Sequence, residues 1–346
     1  MQDRAMEETI KVSVIIPVYR TAQYLPQCLD SVLAQTLRDI EVICINDGSP
    51  DQSPDILHRY ARRDPRVHVI DKQNEGVGKA RNDGLRAARG EFVAFMDSDD
   101  YYPHQRVLEQ LYTAAQEQQV SVCGGLVQQV YADGGTKDAV PAFHQLALDC
   151  AGYTKYRDFQ YDYGYTAYLF RRSLLLENGI VFPSYSRFQD PPFFVRAMQA
   201  ADVFYACGQP TYCYRVLPDG GKCSAQKTAD FLRGVCDNLI FSKEQGLERL
   251  HYISACRLDE EGSYMILQNL NTAQDDMLLE LLLRAYGCVD GEWLRQAGYL
   301  QGSYVPEALR VLWEKAADYD ALRKNGWLKL LSWLPRKLSK PSEKRK

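Results

Sequence analysis

Residues 92–100 read Phe-Val-Ala-Phe-Met-Asp-Ser-Asp-Asp, an apolar run too short for a helix that stops at an acidic cluster. Such a run suits a strand buried on both faces of a parallel sheet, with polar residues gathered at its carboxyl end. The pattern recurs toward the N-terminus. Val12 to Val18 (VSVIIPV) is a β-branched run, Ile40 to Ile45 is another that ends in Asn46-Asp47-Gly48-Ser49, and Val67 to Ile70 is a shorter one. Between the strands, residues 23–37, Asp51 to Arg63 and Gly76 to Ala88 read as helices, the first with Leu25, Leu29, Val32 and Leu33 at helical spacing. Alternating strand and helix predicts an α/β fold: a doubly wound, mostly parallel sheet with helices on both faces, binding ligands beyond the carboxyl ends of its strands.

Downstream the rhythm loosens. Val120 to Val130 reads as a strand, Ala132-Asp133-Gly134-Gly135 as a turn, and Leu169 to Leu176 leads to Gly179-Ile180-Val181-Phe182-Pro183, a stretch expected to extend the sheet. From about Phe231 the chain reads as helices carrying Leu278, Leu279, Leu281, Leu282, Leu283, Leu309 and Leu312. With a boundary at the Pro218-Asp219-Gly220-Gly221 turn, the expected organisation is an α/β domain over 10–217, a helical C-terminal region over 218–320 and a basic amphipathic tail over 321–346.

At 346 residues the chain is long enough for a large core and an appendage. Its 25% charged and 46% hydrophobic residues argue against wholesale disorder, and a net charge of -4 speaks against a nucleic-acid partner. Ten cysteines include no C-x-x-C pair, so reduced, mostly buried thiols are expected. Met1 to Thr9 is acidic and carries no apolar signal core, and no run approaches the ~20 apolar residues of a membrane span. A cytoplasmic location is the expectation.

Four stretches carry candidate chemistry. In Asp97-Ser98-Asp99-Asp100, carboxylates two apart can converge on a hard divalent cation whose shell is completed by phosphate oxygens and water; a solvated turn capping the next helix would read the same. Asp47, at a strand end, can accept from the imide N–H of a uracil or thymine or from a guanine edge, and Tyr19 can stack on a base while Pro17 fixes the backbone. Each is also ordinary loop chemistry. Asn74-Glu75-Gly76-Val77-Gly78-Lys79-Ala80-Arg81-Asn82 joins a glycine-rich loop to a helix start and two cations, suited to an anion. It lacks the upstream glycine and the Ser/Thr of a P-loop. Arg81 can face a diphosphate, brace Asp97 or form a surface ion pair. In Phe188-Gln189-Asp190-Pro191-Pro192-Phe193-Phe194, Asp190 is either a rigidly held general base or the cap of a helix with proline at its first position.

Taken in order, VSVIIPVYR, EVICINDGSPDQS, NEGVGKARNDGLRAARGEFVAFMDSDD, LFRRSLLLENGIVFP, QDPPFF and YCYR, from about Val12 to Tyr214, resemble the family 2 glycosyltransferases, inverting enzymes of the GT-A fold. The resemblance implies a metal-dependent transferase that moves a sugar from a UDP-, dTDP- or GDP-sugar to the hydroxyl of a glycan or lipid-linked glycan, in surface polysaccharide or glycan assembly. By it, Pro17, Tyr19 and Asp47 contact the nucleoside, Gly76 and Arg81 line the donor site, and Asp97 with Ser98 reaches the ribose. Asp99 holds Mn2+ or Mg2+, and Asp190 is the base. The family's usual acidic pair reads Gln189-Asp190 here, Arg20 stands where asparagine is frequent, and no histidine follows Arg215 before Ser224.

Two other functions fit parts of the pattern. A sugar nucleotidyltransferase uses a similar sheet but a glycine- and arginine-rich first loop, where this chain has Tyr19-Arg20-Thr21-Ala22. A non-catalytic nucleotide-sugar or glycan binding module accounts for Gln189 but not for retaining both Asp99 and Asp190. In the tail, Leu322, Trp327, Leu330, Leu331, Trp333, Leu334 and Leu338 lie mostly on one helical face among Arg323, Lys324, Lys329, Arg336, Lys337 and Lys340, with Pro335 as a kink or stop. That face suits either an anionic membrane surface, giving peripheral attachment to the inner face of the cell membrane, or docking on the catalytic domain.

Overall fold

The computed structural model describes residues 9–138, 150–217, 223–262, 265, 269 and 275–301. The tail over 321–346, with Leu309 and Leu312 before it, lies outside the described residues.

Strands β1 (Val12–Val18), β2 (Ile40–Asp47), β3 (Val67–Lys72) and β4 (Phe92–Phe95) pair in parallel, joined by helices α1 (Leu25–Leu33), α2 (Ser53–Arg63) and α3 (Val77–Ala87). Helix α4 (Val107–Glu117) follows, then β5 (Val122–Val130), β6 (Thr136–Asp138), β7 (Ala151–Lys155) and a short helix α5 (Tyr156–Phe159). Next come β8 (Tyr168–Arg171), α6 (Arg172–Glu177), α7 (Asp190–Ala201) and the long β9 (Val203–Arg215). The sheet runs β3-β2-β1-β4-β8-β5-β9-β7, with β6 paired to β5. Strand β8 is antiparallel to both β4 and β5, and β5 and β9 are parallel, so the sheet is mixed. The carboxyl ends of β1, β2, β4, β5 and β9 therefore share one edge.

Every residue of β1, β2 and β4 is buried, as continuous apolar runs require. Pro17 sits in the central strand β1, a place proline usually cannot occupy. Ile15 accepts from the Met96 N–H on the β4 side, and pairing with β4 stops there, so the N–H that Pro17 lacks has no waiting partner. Helix α3 lies close on β1 and β2 because Gly84 has no side chain: a Cβ there would come 2.4 Å from Ile15 Cγ2.

The residues read as one segment at 169–176 divide into β8 and α6, and β7 and β9 are strands with no clear alternation in the sequence. The burial of β9 is irregular because it is bulged against β5, whereas β7, an edge strand, alternates between exposed and half-buried residues. Beyond β9 come helices α8 (Ala225–Gln245), α9 (Glu248–Arg257), α10 (Asp275–Cys288) and α11 (Gly291–Gln296), starting a few residues earlier than the apolar pattern suggests. Ser224 caps α8 by accepting from the Lys227 N–H. Two apolar clusters result. One spans the sheet from Val12 to Leu250; the other joins Phe188 to Phe231, Leu232, Leu239, Leu258 and Leu282 of the helical region. All ten cysteines are free thiols, and Cys150 is exposed.

Candidate active site

The acidic turn Asp97–Asp100 stands where β4 ends, and the sheet holds it from two sides. The Thr21 hydroxyl, just past β1, donates to Ser98 Oγ at 2.9 Å. From β9, the Tyr212 hydroxyl donates to Asp100 Oδ2 at 2.7 Å and accepts from the Asp97 N–H at 3.1 Å. The Arg215 N–H donates to Asp100 Oδ1 at 2.7 Å, and its Nε to the Asp99 carbonyl at 2.9 Å. The turn does not cap the following helix, which begins only at Val107. Asp100 is thus a buried anchor, while Asp97 lines the cavity beside it and Asp99 stays partly exposed.

Arg81, on α3, is 4% exposed and donates from Nη2 to Asp97 Oδ1 at 2.6 Å, with its guanidinium 5.2 Å from the Tyr165 ring centroid and 5.3 Å from that of Phe182. It is a brace for Asp97 rather than a surface ion pair. Its Nε and Nη1 are buried and find no hydrogen-bond partner among the described residues; neither does Gln189 Oε1. Buried donors and acceptors in that condition are costly and point to a polar ligand or water.

Asp190 is the first residue of α7; Gln189 occupies the cap position without a side-chain cap bond. The capping role open in the sequence is therefore not the one Asp190 plays. Burial pushes its carboxyl up to about 6, against the pull of Arg81. Phe188, two residues earlier, adopts φ 63, a left-handed conformation rare for an aromatic residue. Arg81, Asp97, Gln189 and Asp190 line one cavity of about 430 Å³ with Tyr161, Tyr163, Tyr165, Tyr168 and Tyr214. A cavity walled by tyrosine rings, with a few converging polar groups, is the usual form of a small-molecule site.

The other sequence-predicted residues lie along the same edge but outside this cavity. Asp47 ends β2, and its two carboxylate oxygens accept the Glu75 and Gly76 N–H groups, each at 2.9 Å. That pins the glycine-rich loop, and Gly76 at φ 95 supplies the turn. Each Asp47 oxygen keeps a second lone pair. Pro17 is buried in β1, and Tyr19 just beyond it is 42% exposed, its ring free for stacking apart from Arg20 at 5.2 Å. Tyr212 and Arg215, which hold the acidic turn, lie in the YCYR stretch that the sequence reading quoted for its resemblance but gave no role; Tyr212 alternates with Tyr214 on β9.

The acidic turn fits a divalent cation in part. Burial, and then Asp97, raise the Asp99 carboxyl to about 6, against the pull of Arg215 and Arg81. No group of three or more histidine, cysteine or acidic side chains placed to hold a metal occurs among the described residues. The protein side therefore offers few ligands, as for Mg2+-type ions that keep waters and take substrate phosphate oxygens.

Residues 13–175 match the model of the family described as Glycosyl transferase family 2. Among similar proteins, the putative glycosyltransferase EpsH of Bacillus subtilis is 36% identical over 221 residues, covering 60% of this chain and 62% of that relative. The chain thus spans less than two thirds of that relative's length. Among solved structures, S. aureus TarS 1-349 in complex with UDP-GlcNAc superposes with a TM-score of 0.62 at 22% identity, over 82% of each chain. The mannosyltransferase PcManGT from Pyrobaculum calidifontis, in complex with GDP-Man and Mn2+, gives 0.50 at 18% identity over 94% of this chain and 85% of that one. These neighbours share the GT-A arrangement of sheet and flanking helices. The match runs through the strands that carry Asp47, Asp97 and Asp99, and over residues 13–175 the chain is similar to glycosyl transferase family 2.

Proposed function

We propose that this chain is an inverting, metal-dependent glycosyltransferase that moves a sugar from a nucleotide-diphosphate donor to an acceptor hydroxyl in surface polysaccharide or glycan assembly. The observation that carries this reading is the meeting of Arg81, Asp97 and Asp190 on one tyrosine-walled cavity at the carboxyl edge of the sheet. The ligands of the solved neighbours, UDP-GlcNAc for TarS and GDP-Man with Mn2+ for the mannosyltransferase, support a nucleotide-sugar donor and a divalent ion.

In this reading Tyr19 stacks on the base, and Asp47 and Pro17 shape its pocket. Gly76 gives the donor close approach to the backbone, and Arg81 holds Asp97, beside Ser98, toward the ribose. Asp99 would hold Mn2+ or Mg2+, which would supply positive charge against the leaving diphosphate. Asp190 takes the acceptor hydroxyl proton as that oxygen bonds to the anomeric carbon and the bond to the diphosphate breaks on the opposite face. A carboxyl raised to about 6 is ionised at neutral pH and a stronger base than an ordinary aspartate.

The test is nucleoside diphosphate release from UDP-, dTDP- and GDP-sugars with Mn2+ and a glycan or lipid-linked acceptor, with Asp190→Asn in parallel. A pure binding module releases none. An Asp190→Asn variant that transfers at the wild-type rate removes Asp190 as the base. No helix among the described residues is long and apolar enough to cross a membrane. Peripheral attachment through the basic tail is part of the proposal; it fails if a chain truncated before Asn325 binds anionic vesicles as well as the full chain does.

A further inference from the structure

Arg257 lies at the end of α9, in the helical region and outside residues 13–175 that match the family model. A π-helical turn, Leu258–Gly262, continues the helix beyond it. Its side chain is 10% exposed and reaches back to the wall of the cavity. The guanidinium pairs with Asp162, which is fully buried, and lies 4.1 Å from the Tyr163 ring centroid and 5.4 Å from that of Phe188. Asp162 also accepts from Asn238 Nδ2 at 3.3 Å, a second tie to the helical region. One planar cation thus touches both chain segments that form this side of the cavity: Tyr161–Tyr165 and Phe188–Asp190.

The second segment needs such support. Phe188 holds φ 63, a conformation that persists in a non-glycine residue only when its surroundings impose it. Its ring packs edge-on against Phe231 at 5.1 Å and Tyr163 at 6.1 Å. Its backbone rests on α8 at Gly234, where a Cβ would come 2.8 Å from the Phe188 carbonyl oxygen and 2.7 Å from Cδ1. The backbone then turns directly into Gln189 and Asp190, so the place of the Asp190 carboxylate depends on the seat of Phe188.

We infer that Arg257 is a positioning residue for the reaction: by stacking across Tyr163 and Phe188 it fixes the Phe188–Asp190 turn and so the direction in which Asp190 faces the cavity. This rests on the reading of Asp190 as the base. The planar guanidinium is essential, since an ammonium keeps the charge opposite Asp162 but cannot bridge two rings.

The test uses the full chain with Arg257→Lys, which leaves Asp162 paired, and Arg257→Gln as a second variant. Hydrogen exchange is followed by mass spectrometry over residues 184–194, together with the melting temperature and the affinity for UDP with Mn2+. Turnover is measured with whichever of UDP-GlcNAc, UDP-glucose or GDP-mannose the wild type uses fastest. In Arg257→Lys, exchange over 184–194 rises and kcat falls on the order of tenfold to a hundredfold, as expected for a displaced catalytic group, while UDP affinity and exchange in β1 to β4 stay at wild-type levels. Wild-type exchange and kcat in this variant overturn the inference. So does a rise in exchange spread evenly over α8, α9 and α10 that tracks a lowered melting temperature. The exchange measurement needs no donor, so it decides the inference even if none of the three sugars turns over. If Asp190→Asn keeps wild-type turnover, the reading of the base fails instead, a result separate from any change in exchange.

Discussion

Replacing Asp190 by Asn preserves the shape of the side chain and removes a charge that the fold holds at a cost. Burial raises its carboxyl from 3.8 to about 6. Because the folded value lies above the unfolded one, Asp190 favours folding only while protonated. That contribution is complete below about 3.8 and is lost as pH rises through about 6, so at pH 8 the ionised group opposes folding. At about 1.4 kcal/mol per pK unit the ceiling is about 3 kcal/mol; the open cavity beside the carboxylate lets water screen it, leaving about 1–2 kcal/mol. Asp190→Asn should therefore be more stable than the wild type at pH 8 by that amount, with about half of the gain left at pH 5. Urea unfolding followed by tryptophan fluorescence at the two pH values reads this, and pH-independent effects of the amide cancel in the difference. The same variant should lose transfer by about 10²–10⁴-fold, the usual contribution of a general base. A gain at pH 5 as large as that at pH 8 would refute the claim that the carboxylate is ionised against its surroundings.

Three more perturbations test the site and its frame. Asp99→Asn should remove the Mn2+-dependent part of the rise in melting temperature caused by UDP, an effect worth about 2.7 kcal/mol at a hundredfold excess over Kd; a Mn2+-dependent rise that survives rejects Asp99 as the metal ligand. Arg81→Met leaves Asp97 without its partner. Because the Asp97 side chain is 30% exposed, the loss in chemical denaturation should fall below the about 3–5 kcal/mol of a fully buried pair, and no loss would mean that the pair is not a brace. Gly84→Ala drives a methyl group to 2.4 Å from Ile15 Cγ2 and 2.8 Å from Ile45 Cδ1, and thermal unfolding should show about 1–3 kcal/mol of destabilisation from overpacking.

The sequence by itself determined the parallel half of the sheet. Strands β1, β2 and β4 are buried on both faces, so their residues are mostly apolar, broken only by Ser13 and Glu41, which hydrogen-bond to each other, and β2 and β4 each end in the polar cluster that a ligand edge requires. Asp97, Asp99 and Asp47 were legible for the same reason: an acidic residue directly after a buried strand is conspicuous. Strands β7 and β9 were not legible: the bulges of β9 break its period of two, and β7 is an edge strand whose inner positions, Gly152 and Thr154, are only half-buried and not apolar. Only the tertiary structure decided what each polar residue does. Asp100, in the same acidic run as Asp99, is spent on Tyr212 and Arg215, 112 and 115 residues away. Arg81 faces Asp97 because α3 crosses β1 and β2 at Gly84, and Asp190 meets both because Phe188 is seated on a helix far along the chain. Periodicity encodes which face of an element is buried. Which side chain completes a site is set by contacts between elements, and those contacts have no local signature.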